Sequence, residues 1–277
     1  MGFRINTNIS ALRAQIPLKT VARETHESFA KLSSGQRITK AADDAAGLAI
    51  SEKMKAEIRS SRQANRNATD GISLIQTAEG GLNETSSILT RMRELAIQAS
   101  SDTLTDSDRA KSSMEYQSLK NEIDRTSQTT EFNGKKLLNG SGSRLDFQVG
   151  VGSHSRDDQV AFESSKFDSG TFALGISSAS IMSKQGAQAS LSRIDSAINK
   201  ISAYRAQLGS IHNRLNNSSN NLSIYTENMS GANSRIRDVD FAEETSKLAR
   251  NSIIESSSTA VLAQANMSGQ NALKLMS

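Results

Sequence analysis

Apolar residues recur every seven positions along two long stretches of the chain. Between Asp44 and Ser101 one column holds Ala68, Ile75, Leu82, Leu89 and Ala96, and a flanking column holds Ala78, Thr85, Met92 and Ala99. The second stretch is stricter, with Ile194, Ile201, Leu208, Leu215, Leu222 and Met229 in one column and Ala197, Tyr204, Ile211, Tyr225 and Ala232 in another. Narrow seams of this period pack as a coiled-coil-like pair, so Ile75, Leu82, Leu89, Ile201, Leu208, Leu215 and Leu222 are the expected buried seam. At 1.5 Å per residue the first stretch alone covers about 85 Å, longer than a compact domain of this mass is wide. The pattern therefore predicts a rod.

A third helix is expected from Asp106 to Gln128, because "TLTDSD" supplies capping groups and Tyr116, Leu119, Ile123 and Thr126 follow at helical spacing. Between Gly140 and Ser183 the period changes to two in "RLDFQVGV", and "QVAFE" and "TFALGI" follow among Gly, Ser and Asp turn signals. Short strands in one or two hairpins are predicted there.

The two ends carry amphipathic patterns. Phe3 to Ser33 places apolar residues at Ile5, Ile9, Leu12 and Ile16, then at Val21, Phe29 and Leu32, with a slip in phase around Pro17. Asp240 to Met276 carries Phe241, Leu248, Ile254, Val261, Leu262, Ala265, Leu273 and Met276. It opens with "DFAE", in which Asp240 can cap and Glu243 reach back. Two helices alone cannot bury so many apolar side chains. The ends are expected to be frayed in a free chain and helical in an assembly.

Composition narrows the function. The 277 residues are 36% hydrophobic and 4% aromatic, with one proline and neither Trp nor Cys, too few bulky groups for a thick core. Without cysteine there are no disulfides, thiolate metal sites or cysteine nucleophiles. The 33 basic and 29 acidic residues leave +4, spread along the chain, which argues against a nucleic-acid partner. No apolar run reaches the roughly 18 residues of a membrane span, so membrane insertion is not expected, and "MGFRINTNISAL" lacks the features of a cleaved signal peptide. Secretion would need another route.

The chemical motifs resolve into helix ends. "LSSGQRITKAADD" lacks the spacing of a phosphate loop and follows a helical segment rather than a strand, so Gly35 reads as a helix terminator and Asp43 or Asp44 as the cap of the next helix. "SDTLTDSD" lacks the glycine and terminal glutamate of a calcium loop. The carboxylates of "RDVDFAEE" sit at a helix start, where capping and the helix dipole explain them. His26, His154 and His212 lie in different elements. No catalytic residue, cofactor or metal site is expected, and no enzyme. Gly80 and Gly81 in mid-helix imply either a close backbone approach or a soft point.

The ordered blocks "TNISAL", "LSSGQRITKAADDAAGLAISEKM", "DGISLIQTAEGGLNE", "RMRELAIQAS", "EIDRTSQTTEFNGKKLL", "SRIDSAINKISAYRAQLGSIHNRL", "SRIRDVDFAEE" and "STAVLAQAN" closely resemble those of bacterial flagellins. The resemblance implies a mainly α fold: an elongated coiled-coil-like helical bundle rod with a small β-hairpin region, and N- and C-terminal helices paired as a separate tube domain. On that reading residues 1–43 are the N-terminal tube helix and connector and 44–140 the N-terminal rod helices. Residues 141–182 form the hairpin region, 183–235 the C-terminal rod helix and 236–277 the C-terminal tube helix. The family's variable outer domains sit where this chain has only the stretch from Gly140 to Ser183, which implies a short form without them.

By the same resemblance the subunit polymerises with itself into a helical filament outside the cell. Ile5, Ile9, Leu12, Ile16, Phe241, Leu248, Val261, Leu262 and Leu273 are then the polymerisation residues. Implied partners are a flagellar export chaperone, the type III export apparatus, and the filament cap and hook-junction proteins. "LTRMRELAIQ" and "SMEYQSLKNEIDR" also resemble the segment that a vertebrate Toll-like receptor reads in many flagellins, with Arg91, Leu95 and Glu115 at matching positions; Ile88, Arg91 and Leu95 are expected to share a helix face. A flagellar hook-filament junction protein is the alternative. A chemoreceptor-like coiled coil would explain the seven-residue columns but needs a membrane span and a hairpin tip.

Overall fold

The structure is a computed structural model that describes residues 7–154 and 157–274, with side chains described up to Met267. In chain order its elements are α1 (Ile9–Ser34), α2 (Ala45–Ala99), α3 (Asp106–Thr129), β1 (Glu131–Phe132), β2 (Lys135–Lys136), β3 (Arg144–Gln148), β4 (Gln159–Glu163), α4 (Thr171–Leu174), α5 (Lys184–Arg237) and α6 (Phe241–Lys274). The fold is mainly α, with two small antiparallel hairpins among the described residues. It divides into two compact units, Glu57–Glu227, and Met1–Ala56 with Asn228–Ser277.

The larger unit is built on the seam that the seven-residue pattern predicts. Ile75, Leu82 and Leu89 on α2 and Leu208 and Leu215 on α5 are fully buried, and Ile201 and Leu222 are nearly so. Below Leu215 the seam turns polar and is closed by hydrogen bonds: Asn65 Nδ2 donates to Ser223 Oγ at 3.0 Å, Ser219 Oγ to Asn65 Oδ1 at 2.7 Å, and Thr226 Oγ1 to Ser61 Oγ at 2.9 Å. Fully satisfied polar pairs of this kind fix helix register at some expense in stability.

α3 lies antiparallel on α2, with Tyr116 and Ile123 buried in the same core. Thr105 caps it, its hydroxyl accepting from the Asp108 N–H, as the reading of "TLTDSD" expects. Arg109 closes the turn between the two helices. Its buried guanidinium donates to the carbonyls of Ala99 and Ser101 at 3.0 and 2.9 Å and to Asp106 at 2.9 Å, supplying donors to the bare end of α2. Gly81 is where the backbone is approached: a Cβ there would lie 2.7 Å from both Leu138 Cδ1 and Thr130 Oγ1, whereas Gly80 faces open space.

β3 and β4 pair from Arg144↔Glu163 to Gln148↔Gln159, and Phe162 stacks on Phe167 at 5.1 Å, with Tyr204 edge-on to Phe167. Two expectations are corrected here. The alternation through "RLDFQVGV" ends at Gln148, because Val149 and Gly150 both donate to the Asp158 carbonyl and leave the ladder. "TFALGI" is the single turn α4, not a strand. Asp124 on α3 accepts from the Thr171 N–H at 2.8 Å and hydroxyl at 2.9 Å, and Gly175 closes the turn in the left-handed conformation. A cap supplied from distant sequence overrides the local alternation.

In the other unit α1 runs through Pro17 as one continuous helix, and the apolar positions change face across it as the pattern suggests: Ile9, Leu12 and Ile16 are exposed whereas Val21 is buried. It ends at Gly35, whose φ of 68° is open to glycine at little steric cost, so the helix terminator is as expected. The connector is a joint. Arg37 N–H donates to the Arg237 carbonyl at 2.6 Å and Val239 N–H to the Gly35 carbonyl at 3.1 Å, a short antiparallel bridge with Ile38 buried beside it. Asp43 accepts from the Thr39 and Lys40 amides, both at 2.9 Å, and Asp44 caps α2 through Gly47 N–H at 2.8 Å. Arg237 joins Gln36, Ser51 and Glu52, which holds the Glu52 carboxyl below its ordinary pKa.

Candidate assembly surface

α1 and α6 pack on each other along their length, and both are helical over the described residues. The pairing is fastened at both extremes by polar groups. Asn8 caps α1, its Oδ1 accepting from Ala11 N–H at 3.0 Å, while its Nδ2 donates to the Ala265 carbonyl of α6 at 3.0 Å. At the other end Ser28 Oγ donates to the buried Glu244 carboxylate at 2.5 Å. Asp240 caps α6 through the amides of Ala242 and Glu243; Glu243 does not reach back but pairs forward with Lys247 at 2.7 Å, one turn on.

Little apolar surface is consumed by this pairing. Ala11 and Val21 are buried, but Ile9, Leu12 and Ile16 are 46%, 51% and 69% exposed, and steps of three and four place them on one face of α1. On α6 Phe241 and Val261 are exposed, and Leu248 and Leu262 are half-buried. Ile5 lies outside the described residues, as does the side chain of Leu273. Ile253, Phe29 and Met267 are exposed as well and extend the same kind of surface. Ile253, 71% exposed, escapes the sequence reading because Ile254 beside it fits the period better; Ile254 is itself 38% exposed.

The expected seam residues play no part in this surface, since all seven are buried in the other unit. The receptor trio is divided. Arg91 is exposed and donates to Glu94 and Glu115, both at 2.9 Å, and these carboxylates, Glu94 first, raise its pKa. Leu95 is 3% exposed and Ile88 6%, so both belong to the core of the bundle and do not share an open face with Arg91. The seven-residue column identifies only its own members as buried, and α3 covers the adjacent positions.

No cluster of His, Asp or Glu that could hold a metal ion occurs among the described residues, and no helix there is long and apolar enough to cross a membrane.

Residues 5–143 match the family described as bacterial flagellin N-terminal helical region, and residues 191–276 match the bacterial flagellin C-terminal helical region. The chain is 43% identical to a flagellin of Halalkalibacterium halodurans over 98% of its length and 99% of that protein's. It is likewise 43% identical to a flagellin of Bacillus subtilis over 99% of each. The crystal structure of Bacillus cereus flagellin superposes with a TM-score of 0.51 at 33% identity, covering 57% of this chain and 88% of that one.

Proposed function

The chain belongs to the bacterial flagellin family and is a structural subunit of the flagellar filament, and from that premise we propose that it polymerises through the apolar side chains left bare on α1 and α6. One observation supports this above others: the two helices are tied to each other by Asn8 and Ser28, yet they leave Ile9, Leu12, Ile16, Phe241 and Val261 in water. Burying exposed apolar area of this kind against further copies is favourable by about 25 cal/mol per Å². Leu248 and Leu262 line the edge of the helix pairing and contribute from there. The relatives named flagellin do not favour the hook-filament junction alternative.

The filament of the family is extracellular, and we extend to this chain secretion through a type III apparatus with a chaperone on α6. Cap and hook-junction proteins then meet the same terminal helices. Host recognition, if this chain has it, rests on Arg91 and Glu115 rather than Leu95, since only the former are exposed. Arg91→Ala is then expected to lower receptor activation by the monomer roughly tenfold, about 1.4 kcal/mol at an interface anchor.

The assembly reading is tested by deleting residues 1–32, or 241–277, and following polymerisation by sedimentation and electron microscopy. Loss of filaments with retained helix content is expected; filaments from either truncated chain would refute it.

A further inference from the structure

The larger unit carries an apolar knob and an apolar groove that nothing in the single chain brings together. Phe172 is 87% exposed, the most exposed large apolar side chain among the described residues. It is nonetheless held rigidly. Asp124 caps its turn through Thr171, Leu174 and Ile176 on either side of Gly175 are buried, and Lys200 Nζ donates to the Ala173 carbonyl at 2.6 Å. Buried Lys120 fastens the following loop through the Ser177 carbonyl at 2.6 Å. A large aromatic presented on a fixed backbone has lost its ordering entropy in advance, which is the character of an interface anchor.

The groove is an open cavity of about 650 Å³ between β1, β3 and α2, with an apolar floor of Leu74, Phe132, Leu145 and Phe147. Asp70, Asn133, Lys135, Arg144 and Asp146 complete its lining. Phe147 sits over Gly71, where a Cβ would lie 3.1 Å from its ring. Thr130 faces Gly81 and Glu115 pairs with Arg91, which places Asp124 near residue 85 of α2. Knob and groove are therefore offset by about 20 Å along α2, at 1.5 Å per residue. A single copy cannot fill its own groove.

We propose that Phe172 of one copy inserts into the Leu74/Phe132/Leu145/Phe147 groove of a neighbouring copy. An open filament requires two different complementary patches on each subunit, because a self-complementary patch closes a dimer and stops. Knob and groove are such a pair, and their offset sets neighbouring copies in a stagger of about 20 Å. The inference rests on assembly through α1 and α6 and adds a second, lateral contact to it.

The chain has no cysteine, so single thiols can be introduced without background. Phe172→Cys and Asn133→Cys chains are mixed, polymerised and treated with a short bismaleimide. Crosslinked dimers are expected from mixed filaments and not from filaments of either variant alone. A Phe172→Cys chain that keeps its helix content but assembles only above a tenfold higher concentration also supports the contact. Filaments that form without mixed dimers, or in which a monofunctional maleimide labels Phe172→Cys as freely as in the monomer, overturn it. The terminal-helix reading would then stand, with Phe172 free for another partner. Failure of the unsubstituted chain to polymerise would remove both.

Discussion

Ser28 on α1 donates its hydroxyl hydrogen to the Glu244 carboxylate on α6 at 2.5 Å, and both side chains are buried. Without Ser28 the buried carboxylate keeps only Lys247, 3.9 Å away, and the lost donor costs about 1–3 kcal/mol, whereas Glu→Gln keeps both shape and a polar partner. Ser28→Ala should therefore loosen the α1–α6 pair more than Glu244→Gln does. Hydrogen exchange of residues 20–34 and 241–250 in the monomer measures this. Equal protection in the Ser28→Ala and unmodified chains would show that the bond does not hold the helices.

Arg109 acts at the opposite end of α2, where it fills carbonyls that no backbone amide reaches. Arg109→Ala removes three hydrogen bonds at a buried position, and a loss of about 2–3 kcal/mol is expected. Lysine offers a point charge rather than a fork, so Arg109→Lys should rescue little. Thermal melts of the three chains decide it; a lysine variant as stable as the parent would mean that charge alone suffices.

Asp43 in the connector accepts from the Lys40 amide and then from the Thr39 amide and hydroxyl, which holds its carboxyl below the ordinary value. The folded state therefore prefers the ionised form. The contribution of the turn is full well above the unfolded value of about 3.9 and is lost as pH falls through the lower folded one. Amide shifts of Thr39 and Lys40 should titrate together with a midpoint below about 3.9, and Asp43→Asn should abolish the transition. A midpoint at or above the unfolded value contradicts the bonding.

The seam, the capping of α3 and the joint at Gly35 were legible because each is written locally, in a period or in a cap a few residues from its helix. α4 was not, since its cap comes from Asp124, and the alternation of "TFALGI" is a poor guide once Thr171 is fastened to another helix. Arg109 is invisible for the same reason: an arginine in the first turn of a helix announces nothing about the carbonyls that it meets. On the assembly surface the amphipathic stripe picks out Ile9, Leu12 and Ile16, but it passes over Ile253, the more exposed of two neighbours, because Ile254 fits the period better.

Exposure separates two kinds of leucine and isoleucine in this chain, and the separation yields the last prediction. Ile16 is 69% exposed, so Ile16→Asp removes no contact within the subunit and should change its melting by no more than a surface substitution does, about 0.5 kcal/mol. In the proposed filament the same carboxylate would be buried against a neighbour, at several kcal/mol for an unpaired charge, and the concentration needed for assembly should rise more than tenfold. Leu208 is fully buried in the seam, and Leu208→Asp places that charge inside the monomer itself. Its melting temperature should fall before assembly is even measured. Melting curves and sedimentation on the two variants therefore move in opposite order. If Ile16→Asp lowers the melting temperature as far as Leu208→Asp does, or assembles like the parent, the bare stripe on α1 is not an assembly surface.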